Sequence, residues 1–519
     1  MHTSLTLLST ITKSTLGLQV FPASVRKSNR IIPKPDLTSS VLLIHYLTYA
    51  PGPASSDSWS HIQGHGCMKD NTSRTHESKK VSRRSFLAGA VGTMGTFTIV
   101  PRHVLGGPGR TPPSEKLNIA FVGAGGRAQD NIHALSSETI AALCDVDDKR
   151  AAETYKDYPQ VAKYRDFRRM LEKEKNIDAV VVSTPDHTHA AASMIAINLS
   201  RHVYCEKPLA HSIYEVRKLA EAAKAAGVAT QMGIQRHALE GIRLLCEWVW
   251  AGAIGPVREV HAWTDRSGGN WAQYRSARPD ETQPVPNTLD WNLWLGPAPE
   301  RPYHSCYLPG RWRGWCDFGT GALGDMGCHI LDSAFWSLNL GSPKSIEAVS
   351  TPVSPETFPR ASMITYQFDA RGDMPPVKLV WYDGDLKPPR PAELEPDRRM
   401  GSIDGGLIFV GDTGKIVCDA YCESPRLIPE SRMKQYNRPP KTIPRSPGHH
   451  AEWVAACKGG KPACSNFDYA SRLTEMVLLG DIAVRDQRKI CWDAENMKVT
   501  NVPDANKYIR RHYRQGWTL

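Results

Sequence analysis

Residues Leu117 to Ala128 read LNIAFVGAGGRA, and this short turn constrains the fold more than any other stretch. The apolar run from Leu117 to Val122 has the length of a buried parallel strand and ends on glycine. Gly123 and Gly125 hold the first two positions of G-x-G-x-x-G/A. Ala128 holds the third, with Gly126 and Arg127 between. The first small residue permits a tight turn, the second lets backbone approach a pyrophosphate, and the third lets a helix pack on the strand. Phosphate charge then meets free N–H groups at the helix start. Glycine-rich strand ends are common, so the turn needs a companion. A second strand, Ile140 to Asp145, ends in an acid 17 residues after Ala128. A carboxylate there binds the adenosine ribose hydroxyls. Together the two strands read as a dinucleotide site. Asp145 favours NAD and makes NADP the lesser cofactor, because it would repel a 2′-phosphate. Arg127, close in sequence, blurs that preference.

Strand and helix patterns alternate with short connections from 115 to 236. Strands are expected at Ala179–Thr184, His202–Cys205 and Val228–Ile234. Helices are expected at Thr188–Asn198 and Ser212–Ala226, the latter stopped by Gly227. Such alternation specifies a doubly wound, Rossmann-type parallel sheet covered on both faces. Ligands bind at the carboxyl ends of its strands. Gly123, Asp145, Thr184, Pro185, Glu206 and Lys207 all fall at such ends.

GAGGRA, then STPDHTH, then CEKPLA resembles the glucose–fructose oxidoreductase / inositol dehydrogenase (Gfo/Idh/MocA) family of NAD(P)-dependent enzymes, over roughly residues 115 to 519. The resemblance implies that Lys207 sits beside the nicotinamide and the reacting carbon. It also implies that Thr184, Pro185 and His189 line the nicotinamide side, although His189 reads equally as a helix-surface histidine. A second domain then carries a large open, mostly antiparallel sheet, one face covering the active site and often serving as an oligomer contact.

In that domain, 237–500, a helix over Leu239–Ala251 precedes an alternating strand, Val257–Asp265. If a helix begins near Gly324, Asp325 and His329 lie at i and i+4 on one face. A carboxylate one turn from an imidazole can fix its tautomer. This D-x-x-x-H resembles the family's second catalytic element; otherwise such a pair is a structural hydrogen bond. Nine of the fourteen tryptophans lie between Trp248 and Trp336. They suit a carbohydrate pocket and, equally, a sheet–helix core or subunit interface. Trp271, His304 and Arg313 are the candidate substrate contacts. Asp383–Gly406 reads as a long excursion. His449 and His450 open a helix in different directions, which argues against a shared metal and leaves one of them to face the cleft. The tail, 501–519, is expected to wrap a neighbour.

The net charge of +11 is concentrated at the amino end: residues 1–110 hold 13 Lys/Arg against 4 Asp/Glu, and the rest hold 51 against 49. A nearly neutral folded part argues against a nucleic-acid partner. Ser82-Arg83-Arg84-Ser85-Phe86-Leu87, with Lys79 and Lys80 before it and an apolar stretch to Val100 after it, resembles a twin-arginine export signal. The region 68–110 is read accordingly, with the twin-arginine machinery as partner and a location outside the cytoplasmic membrane. Residues 1–67 do not fit this scheme and read as an over-extended start before Met68. The cysteines lack C-x-x-C spacing, so no metal site is expected.

The expected function is hydride transfer between a sugar, polyol or glycoside hydroxyl and a tightly held NAD, with Lys207, His329 and Asp325 as the catalytic set. A glycosidase using NAD transiently and a non-catalytic sugar-binding protein are the alternatives.

Overall fold

The computed structural model describes residues 112–264 and 277–519. The leader, the twin-arginine segment and Trp271 lie outside the described residues.

The six strands of the first sheet are β1 (Asn118–Val122), β2 (Thr139–Cys144), β3 (Ala162–Tyr164), β4 (Ala179–Val182), β5 (His202–Glu206) and β6 (Thr230–Gly233). They run parallel in the order β3-β2-β1-β4-β5-β6. The order reverses between β1 and β4, and this switch point opens the crevice where such sheets take ligands. β4, AVVV, is buried throughout, as a strand covered on both faces must be. Helix ends follow local chemistry. Ser212 caps the helix Ile213–Ala226, and Gly227, at φ 64°, ends it.

A second sheet of nine described strands comprises β7 (Val257–Thr264), β8 (Ser345–Ser350), β9 (Ser362–Phe368), β10 (Val377–Tyr382), β11 (Gly405–Gly411), β12 (Gly414–Asp419), β13 (Arg426–Ile428), β14 (Ile490–Asp493) and β15 (Lys498–Val499). Their order is β13-β12-β11-β7-β10-β9-β8-β14-β15. Only the β7–β10 pair is parallel. Period-2 alternation sends Val377, Leu379 and Trp381 inward to the main core. The long helix Phe467–Asp486 packs there and also touches the helix Ile213–Ala226, so one element joins the two sheets.

The Asp383–Gly406 excursion is not a free loop. Leu394 and Met400 lie over Trp263, Val380 and Ile408 on the outer face of the sheet. Part of that outer face is thereby covered by the chain itself. The tail folds onto its own chain. Arg511 pairs with Glu215 at 2.6 Å, and Trp517 packs on Phe167 with Arg168 over its ring.

Candidate active site

Two adjoining clefts open at the carboxyl ends of β1, β2, β4 and β5. The first is lined by Gly123, Gly125, Arg127, Asp145, Arg150, Thr184 and Pro185. Its turn is shaped for close approach. A Cβ on Gly123, at φ 96°, would lie 2.6 Å from the Ser183 carbonyl oxygen, and one on Gly125 would lie 2.4 Å from that of Arg150. Ala128, in the first turn of the helix Arg127–Ala134, is fully buried. The missing side chains let the Ser183 and Arg150 backbone close against the turn, the tight geometry that a pyrophosphate-binding turn requires.

Asp145 is engaged differently from the sequence expectation. Its Oδ2 accepts the Ala124 amide at 2.8 Å and the Gly125 amide at 3.2 Å, and its Oδ1 accepts the Asp147 amide at 3.0 Å. Burial raises its pKa, against the three amides that lower it. The carboxylate therefore holds the glycine turn in shape and lines the first cleft at the end expected to take the ribose. Arg127 does not point toward that end: its Nε donates to Glu206 at 3.1 Å. The guanidinium over the turn is that of Arg150, whose Nη2 would meet a Cβ on Gly126 at 2.4 Å.

The first cleft is roofed by the second domain. Asp290 donates its amide to the Val146 carbonyl at 2.8 Å, and Leu289 bridges Asp147. From there Leu293, Trp294, Pro309, Trp312 and Arg313 close over the groove, and Trp517 of the tail lies at its edge. His187 fastens this roof, its ring nitrogens 3.2 Å from the Phe318 carbonyl and 2.9 Å from that of Trp294.

The second cleft shares Arg127, Ser183, Thr184, Trp312 and Arg313 with the first, and adds Asp186, Glu206, Lys207, Gln235, Arg236, Asp325, His329 and Tyr421. Glu206 is a hub: its Oε1 accepts Asn131 at 2.9 Å, Gln235 at 3.0 Å and Arg127 at 3.1 Å. Lys207 Nζ donates to the Asp325 carboxylate at 2.5 Å and to the Asp325 carbonyl at 2.7 Å. Arg313 Nε donates to the same carboxylate oxygen at 3.0 Å. Burial works against ionisation of Asp325, but Lys207 and Arg313 outweigh it and hold the pKa down to about 2.

This corrects one expectation. Asp325 lies in a π-helical turn, Leu323–Gly327, and the α-helix begins only at Cys328. The wider turn breaks the i, i+4 register. The Asp325 carboxylate is bound by Lys207 and Arg313, and His329 adds to the field around it. Asp325 and His329 still line the same cleft. The His329 ring packs edge-on to Tyr421, centroids 5.9 Å apart.

Other expected residues fall elsewhere. His189 is buried behind the wall, its ring nitrogens 2.8 Å from the Pro208 carbonyl and 2.9 Å from that of Thr184. Burial lowers the pKa of both His187 and His189. Arg511 takes His187 further down, to about 3, whereas Cys205 and Asp186 bring His189 up to about 10. His304 caps a 3₁₀ turn and pairs with Glu281 at 3.0 Å, away from both clefts. His450 bonds Asn131, and His449 bonds the Met232 carbonyl, so neither lines the cleft. Sequence reasoning passed over Trp312, Tyr421 and Asp186. Only Asp186 carried a signal, following Pro185 at a strand end. Arg313 stacks on Trp312 at 4.2 Å and Arg236 on Tyr421 at 5.1 Å, giving the cleft two flat aromatic walls.

Fold and site define a two-domain protein with a dinucleotide cradle beside a charged, aromatic-walled cleft. Residues 117–234 match the NAD-binding Rossmann fold of the Gfo/Idh/MocA oxidoreductase family, and residues 246–374 match that family's C-terminal alpha/beta domain. Inositol 2-dehydrogenase of Salmonella paratyphi B is 28% identical over 151 residues, which is 28% of this chain and 45% of that protein. Levoglucosan dehydrogenase of Pseudarthrobacter phenanthrenivorans is 22% identical over 47% of this chain and 56% of its own. The chain thus spans about half the length of these relatives. In fold it is like the WlbA dehydrogenase from Bordetella pertussis, solved with NADH and UDP-GlcNAcA. The TM-score is 0.51 at 17% identity, covering 73% of this chain and 99% of that one.

Proposed function

We propose that the protein is an NAD-dependent dehydrogenase of a sugar, polyol or glycoside. The observation that carries this is the Lys207–Asp325 pair beside His329, at the junction between the glycine cradle and the aromatic-walled cleft. The cradle fits a dinucleotide, and a bound nicotinamide supplies the acceptor for a hydride. The chain's own groups do the rest. Lys207, fixed by Asp325, holds the substrate oxygen and stabilises negative charge developing on it. His329 takes the hydroxyl proton. Trp312 and Tyr421, each with a guanidinium over its ring, line the cleft together with Arg313 and Arg236, whose N–H groups suit the hydroxyls of a sugar. Activity reported for the relatives by name, on inositol and levoglucosan, supports a polyhydroxylated substrate.

Three finer readings accompany this one. The twin-arginine signature at Ser82–Leu87 directs the folded protein out of the cytoplasm. Free nicotinamide is scarce outside that membrane, so NAD is carried as a resident group, and the roof from Leu289 to Arg313 supports retention. A transient-NAD glycosidase is the second reading, favoured by the same retention and disfavoured by the intact Glu206-Lys207-Pro208. Any contact between subunits falls on the uncovered part of the outer sheet face, where Val349 and Met363 are exposed neighbours.

Denaturing protein purified without added cofactor tests the resident group. About one nicotinamide dinucleotide per chain is expected. Empty protein that works only in millimolar NAD would overturn it.

A further inference from the structure

Asp186 opens the helix Asp186–Asn198 at the end of β4 and lines the cleft with Lys207 and Arg313. Its Oδ2 accepts a 2.7 Å hydrogen bond from the Thr320 hydroxyl, and both side chains are buried. A Cβ on Gly324 would lie 1.9 Å from Thr320 Oγ1, so the glycine is what lets Thr320 take this position. Thr320 also lines a small chamber walled by His211, Cys316, Asp481, Arg485 and Tyr508. Inside it, Oδ2 of buried Asp481 has no hydrogen-bond partner among the described residues. Buried polar atoms left this way are rare and mark functional or hydrated positions. Arg485, half-buried and stacked on Tyr508 at 4.2 Å, forms the outer end.

We propose that Asp186 and Thr320 form a proton path linking the reacting cleft to the Asp481 chamber and through it to solvent. The path rests on the dehydrogenase reading above. Oxidising a secondary alcohol to a ketone releases one hydride, delivered to NAD⁺, and one proton from the hydroxyl. The hydride would go to the bound nicotinamide, and the proton has to leave the cleft that Asp186 lines. It passes from the base in the cleft to the Asp186 carboxylate. Asp186 then gives a proton to Thr320 Oγ1 as Thr320 releases its own into the chamber, so each group regains its starting state. Reduction of a carbonyl runs the same steps backward.

The groups facing Asp186 come from five elements. They are His189 on its own helix, Lys207 after β5, Arg313 of the roof, Cys328 after the π turn and Asp481 of the long helix. Burial raises the Asp186 pKa, and His189, the Thr320 hydroxyl, Arg313 and Lys207 pull against it without cancelling it. A carboxyl lifted above its ordinary range is suited to exchanging protons nearer neutral pH.

Thr320→Val removes the hydroxyl, and Thr320→Ser keeps it. The Val variant is expected to lower kcat roughly tenfold to a hundredfold, to enlarge the solvent deuterium isotope effect and to move the acidic limb of the pH–rate profile upward. KM and NAD content should stay unchanged, and Ser should restore all three readouts. Asp481→Asn, which leaves Thr320 intact, should lower kcat with the same isotope signature and decides the matter if Val impairs folding. Wild-type isotope effects and pH profiles in both would overturn the path. If no carbohydrate is turned over, the dehydrogenase reading fails separately. Infrared difference spectra then follow the protonated-carboxyl band that Asp186→Asn abolishes. The path requires its titration to shift in Thr320→Val, and an unshifted titration overturns it.

Discussion

Lys207 Nζ and Asp325 Oδ1 meet at 2.5 Å across 118 residues of sequence, joining the end of β5 to a π turn of the second domain. Lys207 is thereby fixed in direction, and Asp325 is shared with Arg313. Removing the carboxylate would leave two cations facing each other in a largely buried site.

Asp325→Asn should therefore destabilise the protein by about 3–5 kcal/mol, the usual effect of breaking a buried pair, and should lower kcat. Thermal melting of variant and wild type checks the first part. With a folded pKa of about 2 and an unfolded one near 3.9, the stabilisation is full above about pH 4. It is lost as pH falls toward 2. Asp325 should thus add no limb to a pH–rate profile between about pH 5 and 9.

Lys207→Met and His329→Ala should each reduce turnover by roughly 10²–10⁴ while NAD content stays near wild type. The lysine change should also raise KM, because Lys207 holds the substrate oxygen before reaction. Steady-state kinetics on the loaded protein decide this. A variant with near-normal kcat would remove its residue from the chemistry.

His189 gives a stability signature in alkali. Its two ring nitrogens face two carbonyl oxygens, and its pKa is held near 10, against about 6.5 unfolded. The stabilisation is complete below about pH 6.5 and is lost as pH rises through 10. The melting temperature of wild type relative to His189→Gln should fall across that window. Parallel curves would contradict it.

In the cofactor cradle, Gly125→Ala should all but abolish dinucleotide binding, because its Cβ would meet backbone at 2.4 Å and backbone cannot yield. Asp145→Ser should weaken NAD, by losing both the ribose contact and the amides it holds, and should narrow the preference against NADP. Titration with both dinucleotides checks this. Tighter NADP binding by wild type would contradict the preference.

The cradle and strand ends were legible because their chemistry is local. Gly123, Asp145 and Glu206-Lys207 each announce themselves within a few residues of a strand. The parallel sheet followed from the alternation of strand and helix patterns for the same reason. What stayed hidden depends on distant segments. Nothing near Lys207 names Asp325, and a π turn cannot be counted from spacing, so the Lys207–Asp325 pair was not foreseen. Trp312 and Tyr421 looked like any core aromatics until folding set them on either side of one cleft. His304 and His189 carried the right chemistry but were drawn into caps and carbonyl brackets. The tail's Arg511 and Trp517 found partners on their own chain, which composition could not foretell.

The central claim is hydride transfer from a carbohydrate at the Lys207 site. It is tested most directly by adding a panel of sugars, polyols and glycosides to protein loaded with NAD and following the reduced-nicotinamide absorbance band. The band should rise with at least one compound in wild type and stay flat with that compound in Lys207→Met. A wild-type protein that binds NAD yet shows no reduction with any of them, or a Lys207→Met variant that reduces it equally, would contradict the account.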